Sequence, residues 1–304
     1  MSTRVSVVIA TMNRPADLAA ALTSLAAQTC SPFEVIVVDQ STNWLSKEVA
    51  QTANRTGPLA KRVLYIHQPV PSSARARNRG VAESAGDLIS FIDDDVELEP
   101  DYYQKILEAF AANPRCGGIG GSVQNIPSFG GFKWDLRKAI MRVFLLSFWN
   151  GKMTPSGFGY PIYDRNIDRV TRVEMLHGCN MTIRRDAMGT EWFDEWFMGY
   201  SYREDAELTY RLARTSEVLM IPDARLVHNE SPANRLSRPQ RKRMEIENVY
   251  YVWRKHREHT LWNRFLFCYS LAGLLLIAWM ETAFRRERAS DLQETWAAIR
   301  ALKL

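Results

Sequence analysis

Three adjacent aspartates, Asp93, Asp94 and Asp95, follow directly after an apolar run in the segment LISFIDDDVELEP, residues 88–100. Adjacent carboxylates repel one another, so a soluble chain needs a reason to gather them at one point. In an extended segment, carboxylates two positions apart can converge on one hard cation, whose shell substrate phosphates then complete. A solvated turn that leads into the next helix is the alternative. The spacing alone is common by chance, but the position behind a buried strand, with Asp39 at the end of a neighbouring strand, favours a DxD-type metal site at Asp93 and Asp95.

A second acidic group occurs in YREDAELTYRL, which contains Glu204, Asp205 and Glu207. A carboxylate at the start of a helix can deprotonate a hydroxyl group that is about to attack. Acidic residues also stabilise the first turn of a helix by interacting with its dipole, which is the structural alternative for this segment. We expect that structural role for Glu207.

The elements that must position these acids alternate in type along the first 120 residues. Four short apolar runs predict strands, at 5–10, 33–41, 62–69 and 87–93, and three segments of helical spacing lie between or after them, at 16–28, 72–86 and 101–114. Continuous apolar strands that alternate with helices predict an α/β fold, with a mostly parallel sheet flanked by helices. Ligands bind such sheets beyond the carboxyl ends of the strands. Thr11, Asp39 and the aspartate triplet all lie at such ends.

Later segments are less regular. An aromatic, amphipathic stretch at 132–149 predicts a helix, and residues 199–215 predict a loop that enters another helix. Two short strands are expected at 217–222 and 224–228. We expect a catalytic domain over residues 1–234 and a helical C-terminal region over residues 235–304.

The C-terminal region carries most of the positive charge. Between Arg235 and Arg264 there are nine Lys/Arg residues against three Glu, in a chain whose formal net charge is +5. A nucleic-acid partner is not predicted, because such domains spread their basic charge along a binding face. The uncharged run Phe265–Met280 would form a helix of roughly 24 Å, shorter than a bilayer core of about 30 Å. It therefore predicts a helix on a membrane surface, with a buried or homodimer-forming helix as the alternative.

Composition excludes a disordered chain and indicates the compartment. The apolar fraction is 46%, with 9 Trp, 11 Tyr and 13 Phe, which is enough for a packed core. Four widely separated cysteines without a CxxC pair predict reduced thiols, and the first apolar run is too short for a signal peptide. We therefore expect a cytoplasmic protein, peripheral at the cytoplasmic face of a membrane.

Five segments taken together resemble one known family. VSVVIATMNRP, EVIVVDQS, SSARARNRG, DLISFIDDD and REDAELTYRL occur in the order and spacing of family 2 glycosyltransferases, over roughly residues 3–230. That family has the nucleotide-sugar-binding fold called GT-A. The resemblance implies a metal-dependent, inverting enzyme that moves a hexose or deoxyhexose from a UDP- or dTDP-linked donor to a hydroxyl group. The acceptor would be a glycan or a lipid-linked molecule.

The resemblance also implies roles for individual residues. It assigns donor binding to Thr11, Asn13, Arg14, Asp39, Arg77, Asn78 and Asp94. It assigns the general base to Asp205, and acceptor binding to Gly178, Asn180 and Glu204. It assigns Mg²⁺ or Mn²⁺ to Asp93, Asp95 and His228. A structural histidine is the alternative for His228.

Two other functions remain open at this point. A nucleotidyltransferase on a similar sheet would need a glycine-rich phosphate loop near the first strand, and IATMNRP contains no glycine. A non-catalytic, membrane-associated protein that binds nucleotide sugars would not need two acidic groups. Both observations favour the transferase.

Overall fold

The computed structural model describes residues 3–127, 130–232, 235–284 and 289–303. The chain forms two compact units. The first consists of Met1–Ile126 and Arg165–Arg235, and the second of Pro127–Asp164 and Leu236–Leu304. The second unit thus combines the predicted C-terminal region with a segment from the middle of the chain.

Nine strands and ten helices lie within the described residues. The strands, all in the first unit, are β1 (Val5–Thr11), β2 (Glu34–Asp39), β3 (Val63–His67), β4 (Leu88–Asp93), β5 (Val96–Leu98), β6 (Cys116–Val123), β7 (Thr171–Arg172), β8 (Asn180–Arg184) and β9 (Glu217–His228). The helices are α1 (Pro15–Ala26), α2 (Leu45–Arg55), α3 (Ser73–Glu83), α4 (Tyr102–Ala112), α5 (Phe132–Val143), α6 (Arg185–Met188), α7 (Glu204–Ala213), α8 (Arg238–His256), α9 (Leu261–Phe284) and α10 (Ala289–Ala301). Of these, α5, α8, α9 and α10 belong to the second unit.

The strands form one sheet in the order β3-β2-β1-β4-β8-β6-β9-β5, and β7 pairs with β9. Strands β1 to β4 pair in parallel, as do β6 and β9, whereas β8 is antiparallel to β4 and β6. The predicted α/β class, with a mostly parallel sheet and C-terminal helices, is confirmed. The two short strands expected at 217–228 form the single strand β9. Its pairing with β6 shifts between Met220 and Arg225, so Pro222 lies where no ladder hydrogen bond is required.

The register of the parallel strands brings their polar ends to one edge. Thr11 of β1 lies opposite Asp39 of β2, and Ala10 lies opposite Asp93 of β4. Beneath this edge, buried aliphatic residues from the strands pack against α1, including Val7, Ile9, Val35, Val37, Leu18, Leu22 and Leu25. Helix α3 lies close to β1, since a Cβ atom added at Gly80 would lie 2.3 Å from Val8 Cγ1.

The second unit has a core of its own, rich in aromatic residues. Trp149, Phe158, Trp253 and Phe267 are buried there, and α8 begins with a capping box between Ser237 and Gln240. By length and composition, α9 is apolar enough over Leu261–Ala283 to cross a membrane. Core helices of soluble proteins share these properties, so length and composition alone do not decide between the two. All four cysteines are free, as predicted.

Candidate active site

Asp93, Asp95 and His228 form the group that could hold a metal ion. One potential ligand atom from each residue lies within 4.8 Å of the other two. His228 Nε2 is 3.1 Å from Asp95 Oδ1 and 4.0 Å from Asp93 Oδ2. The topology explains why they meet: β5 follows the aspartate triplet directly, and its first residue, Val96, pairs with His228 at the end of β9.

The pKa values of His228 and Asp95 depend on each other. Burial by itself would lower the pKa of His228, but contacts with Asp95, Cys179 and Asp93 outweigh burial and raise it to about 11. Burial opposes ionisation of Asp95 as well, yet hydrogen bonds from His228 and from the Ser231 amide lower its pKa. The carboxylate is therefore held in its charged form, the form that ligates a cation.

The three side chains also fit a divalent cation by chemistry and exposure. Two carboxylates and an imidazole are suitable ligands for Mg²⁺ or Mn²⁺. The buried Asp95 Oδ1 lies 3.1 Å from His228 Nε2, so these two ligand atoms are close enough to share one cation. The Asp93 side chain is 35% exposed, which leaves one edge of the group open to a substrate.

Asp94 points away from this group, toward the end of β1. Its Oδ2 accepts a hydrogen bond of 2.7 Å from Thr11 Oγ1, and its Oδ1 accepts one of 3.1 Å from Arg14 Nη1. Burial is the largest cause that raises the pKa of Asp94, to about 7, against the opposing effects of Thr11 and Arg14. Arg14 also lies 3.6 Å from Asp95 Oδ2. The middle aspartate thereby connects the predicted donor residues to the metal group.

Asp39 is the centre of a second cluster at the strand edge. Its carboxylate is fully buried and accepts hydrogen bonds from the Ser41 amide at 2.9 Å and from Tyr65 Oη at 2.8 Å. Ser41 Oγ contacts the same carboxylate and accepts a hydrogen bond of 2.7 Å from the amide of Asn13. Asn13 has a left-handed backbone, with φ 55°. The structure therefore brings Thr11, Asn13 and Asp39 together.

Arg77 connects the metal group to the second acidic group. Its guanidinium is buried and donates to Asp93 Oδ1 at 2.9 Å through Nη2. The Nη1 atom contacts Glu204 Oε1, and Nη2 lies 3.4 Å from the carbonyl oxygen of Gly178. One arginine thus touches the first aspartate of the triplet, the acid at the start of α7 and the loop before β8.

Asp205 is held by backbone amides on both carboxylate oxygens. Gly178 N donates to its Oδ2 and Ala206 N to its Oδ1, each at 2.7 Å. A Cβ atom added at Gly178 would lie 3.0 Å from Asp205 Oδ2 and 3.2 Å from Arg77 Nη2, so only glycine fits there without displacing them. Asp205 is partly exposed, whereas its neighbour Glu204 is buried. Burial, opposed by Arg77, raises the pKa of Glu204 to about 8.

Two predicted site residues have backbone partners. The Asn78 amide exchanges hydrogen bonds of 2.8 and 2.9 Å with the backbone of Phe193. Asn180 Oδ1 accepts a hydrogen bond of 2.8 Å from the amide of Gly121. These contacts engage both side-chain amides with backbone groups, and the roles of the two residues in donor and acceptor binding stay predictions.

The other arginines of the segment SSARARNRG and the third acid of YREDAELTYRL form local pairs. Arg75 pairs with Glu195 at 3.2 Å and Arg79 pairs with Glu83 at 2.7 Å, both on the surface. Glu207 accepts from Arg211 Nε at 2.9 Å within α7, which is the structural role expected for it.

Sequence reasoning did not identify several residues that build the site. Tyr65 and Ser41 hold Asp39, and the amide of Ser231 donates to Asp95 Oδ2 at 2.9 Å. Cys179 contacts His228. A serine two positions after an aspartate is a recognisable turn signal, so the role of Ser41 could have been predicted from the sequence. Tyr65, Ser231 and Cys179 depend on pairings that no local pattern reveals.

The comparison with known families shows to which family the chain belongs. Residues 6–190 match glycosyl transferase family 2, which is more than half of the chain. The chain belongs to glycosyl transferase family 2. The predicted family and the predicted enzyme class, a glycosyltransferase, are thereby confirmed.

A curated relative of this glycosyltransferase is a glucosyl-dolichyl phosphate glucuronosyltransferase from Haloferax volcanii. It is 28% identical over 187 residues, which cover 60% of this chain and 53% of the relative. The chain thus spans about half the length of that relative.

Solved structures establish the GT-A fold of this glycosyltransferase. A mannosyltransferase from Pyrobaculum calidifontis in complex with GDP-Man and Mn²⁺ superposes with a TM-score of 0.60 at 15% identity, covering 98% of this chain and 86% of that one. GalNAc-T7 with UDP, GalNAc and Mn²⁺ superposes with a TM-score of 0.54 at 16% identity, covering 74% of this chain and 44% of that one. Both neighbours were solved with Mn²⁺, and this chain has an acidic group that could hold a metal.

Proposed function

We propose that this chain is a metal-dependent, inverting glycosyltransferase that uses a nucleoside-diphosphate sugar. The observation that carries the proposal is Arg77, which contacts Asp93 of the metal group and Glu204 beside the candidate base. Gly178 connects Arg77 to the candidate base. Its carbonyl oxygen lies near Arg77 Nη2, and its amide donates a hydrogen bond to Asp205. A site for a leaving diphosphate and a site for an attacking hydroxyl group therefore share one buried side chain.

The donor would bind along the strand edge that ends at Asp93. Thr11, Asn13 and Asp39 lie together and would contact the base and ribose, while Arg14 lies between them and the metal group. We propose that Asp94 contacts the ribose and that a uracil or thymine base lies near Asp39. The hydrogen bonds of Asp39 to Tyr65 and Ser41 hold its carboxylate in one orientation, which favours recognition of one base edge.

Asp93, Asp95 and His228 would hold Mg²⁺ or Mn²⁺. When bound, the cation offsets the negative charge that grows on the departing nucleoside diphosphate. The open edge at Asp93 and the closeness of Asp95 Oδ1 to His228 Nε2 support this assignment, as do the Mn²⁺ ions in the fold neighbours.

Asp205 would take the proton from the acceptor hydroxyl group as that oxygen attacks the anomeric carbon on the face opposite the leaving group. Two amide hydrogen bonds fix the orientation of its carboxylate, and its partial exposure leaves it accessible to an acceptor. Glu204 is less suited to act as the base because it is buried against Arg77. We propose that Glu204, Gly178 and Asn180 shape the acceptor side instead.

We further propose a glycan or lipid-linked acceptor and contact with the cytoplasmic surface of a membrane. Leu261, Trp262 and Phe265 are exposed at the start of α9, in a segment rich in basic residues. Apolar side chains flanked by cations suit an interface with anionic lipid. The relative named for a dolichyl phosphate substrate supports a lipid-linked acceptor.

Sedimentation with phosphatidylcholine vesicles that contain an anionic lipid tests the membrane contact. We expect the wild-type chain to sediment with the vesicles and Trp262→Gln to do so less. A chain that remains in the supernatant as a stable dimer would instead support the dimer-forming helix.

Donor binding tests the metal role. UDP, dTDP and GDP are titrated by calorimetry with and without Mn²⁺, into wild type, Asp95→Ala and Asp87→Ala. Asp87 is an exposed aspartate paired with Arg4 and serves as the matched control. We expect Asp95→Ala to weaken Mn²⁺-dependent binding by at least about a hundredfold and Asp87→Ala to leave it unchanged. Equal binding with and without Mn²⁺ in the wild-type protein would overturn the proposed metal dependence.

A further inference from the structure

The second unit contains a cavity of ≈ 260 Å³ whose lining is cationic and aromatic. Within the described part of the chain, its lining residues include none that is acidic: Tyr250, Trp253, Arg254, His259, Arg264 and Lys303. Arg254, Arg264 and Lys303 carry a formal positive charge at neutral pH. All three side chains are exposed at the surface, and their like charges together favour an anionic ligand.

The walls of the cavity are held by contacts within the second unit. The rings of Trp253 and His259 stack with centroids 5.2 Å apart, and the guanidinium of Arg254 lies 5.8 Å from the centroid of Tyr250. His259 Nε2 donates to the carbonyl oxygen of Arg254 at 3.0 Å, and Tyr250 Oη donates to the carbonyl oxygen of Lys303. These contacts hold the lining residues Tyr250, Trp253, Arg254 and His259 and the backbone of Lys303 in place.

One of the lining residues also carries a buried donor. Trp253 is 3% exposed, and its Nε1–H donates to no acceptor within the described residues. A buried N–H without a partner is unfavourable, so an acceptor supplied by a ligand would stabilise the site. Cations together with a neutral N–H donor are a suitable set for the oxygen atoms of a phosphate group.

We propose that this cavity binds a phosphate or diphosphate group of a phosphorylated compound. The group would interact with Arg254, Arg264 and Lys303, while the rings of Tyr250 and Trp253 contact the part of the ligand that carries it. This site lies in the second unit, and its proposal does not depend on the transfer reaction. Two sources have the required chemistry: the headgroup of an anionic lipid and a soluble phosphorylated molecule.

Exposed apolar residues beside the cavity point to the first source. Leu261, Trp262 and Phe265 are within one helical turn of Arg264 and are 85%, 65% and 56% exposed. An anionic headgroup in the cavity would place these side chains at the level of the acyl chains.

The test compares two double variants of the full chain that lose the same charge. Arg254→Gln with Arg264→Gln removes two cations from the cavity. Arg241→Gln with Lys255→Gln removes two cations from α8 that do not line it. Circular dichroism confirms that each variant is folded.

Each variant is measured with a soluble ligand and with a membrane. Pyrophosphate is titrated by calorimetry in excess EDTA, which prevents metal-dependent binding of the pyrophosphate at Asp93 and Asp95. Phosphatidylcholine vesicles, alone or with phosphatidic acid, are used in sedimentation. In at least one arm, we expect saturable binding that the cavity variant weakens by about tenfold or more and the control variant by less than about twofold.

The arms separate the two sources. Binding to phosphatidic acid vesicles alone identifies the lipid headgroup, and binding of pyrophosphate in solution identifies a soluble phosphorylated molecule. The proposal is overturned if neither arm shows saturable binding, or if both double variants weaken binding equally, since diffuse surface charge would then explain it.

Discussion

In the first unit, acidic side chains gather around Arg14, Arg77 and His228, whereas in the second unit cations gather around aromatic rings. The acidic cluster is internally compensated, because each of these cations contacts at least one of its carboxylates. The cationic cavity has no acidic lining residue among those described. The carboxylates of the first unit thus have cationic partners, whereas the exposed cations that line the cavity of the second unit favour an anionic ligand.

Substitution of Arg77 is expected to have the largest effect on stability, because this residue compensates acids of the first unit. Arg77→Met should lower the free energy of unfolding by about 3–5 kcal/mol, because it leaves the buried Glu204 and the carboxylate of Asp93 without the guanidinium that contacts both. Arg77→Met combined with Glu204→Gln should be less destabilised than the sum of the single variants. Urea denaturation of the four proteins measures the coupling. Additive losses would show that the two side chains do not compensate each other.

Close packing gives a second comparison between the units. A Cβ atom added at Gly80 or at Gly273 would lie 2.3 Å from a neighbouring side-chain atom, of Val8 in the first unit and of Phe144 in the second. We expect each glycine-to-alanine variant to lose about 1–3 kcal/mol of stability. Gly130→Ala is the control, since a Cβ atom there meets nothing within 4 Å. Thermal denaturation in which Gly80→Ala matches the control would contradict the tight packing of α3 on β1.

The third effect depends on pH. Burial raises the pKa of Glu204 to about 8, above that of an exposed glutamate, so the folded chain binds this proton more tightly than the unfolded chain. The associated stability is present in full below the ordinary glutamate pKa and is lost as the pH rises through about 8. The slope is at most about 1.4 kcal/mol per pH unit.

Glu204→Gln removes this titration and should show a shallower decline between about pH 5 and 8. Denaturation midpoints over that range, measured for both proteins without divalent metal, test it. Identical pH profiles would mean that Arg77 keeps Glu204 ionised throughout.

The parallel half of the sheet could be predicted from local patterns. Each of its strands is a short apolar run that ends in a polar residue, and β1, β2 and β4 align Thr11, Asp39 and Asp93 at one edge. Parallel pairing follows from alternation with helices, which requires no knowledge of distant contacts.

The antiparallel half depends on contacts between distant segments. His228 reaches Asp95 only because β5 pairs with the end of β9, and β8 enters the sheet between β4 and β6. No local periodicity specifies such neighbours. The grouping of Pro127–Asp164 with the C-terminal helices has the same origin, since that segment shares its apolar core with residues far along the chain.

Which arginine of α3 is buried could be predicted from the sequence only in part. Arg75, Arg77 and Arg79 have the same chemistry, but only Arg77 is buried. It shares a helix face with Ala74 and Val81, three positions before and four after it, and both are buried. The helical spacing of these two apolar residues was the available signal for an inward-facing arginine.

The central claim is that one site combines a cation that holds the diphosphate of the donor with a positioned base. Asp205→Asn tests it most directly, because this substitution removes the proposed base and leaves the proposed cation ligands in place. Release of nucleoside diphosphate from a panel of nucleotide sugars is measured with Mn²⁺, water serving as the acceptor, alongside calorimetric titration of the donor. We expect turnover of Asp205→Asn to fall by about 10²–10⁴-fold, while its donor affinity stays within about twofold of the wild-type value. Unchanged turnover would contradict the account.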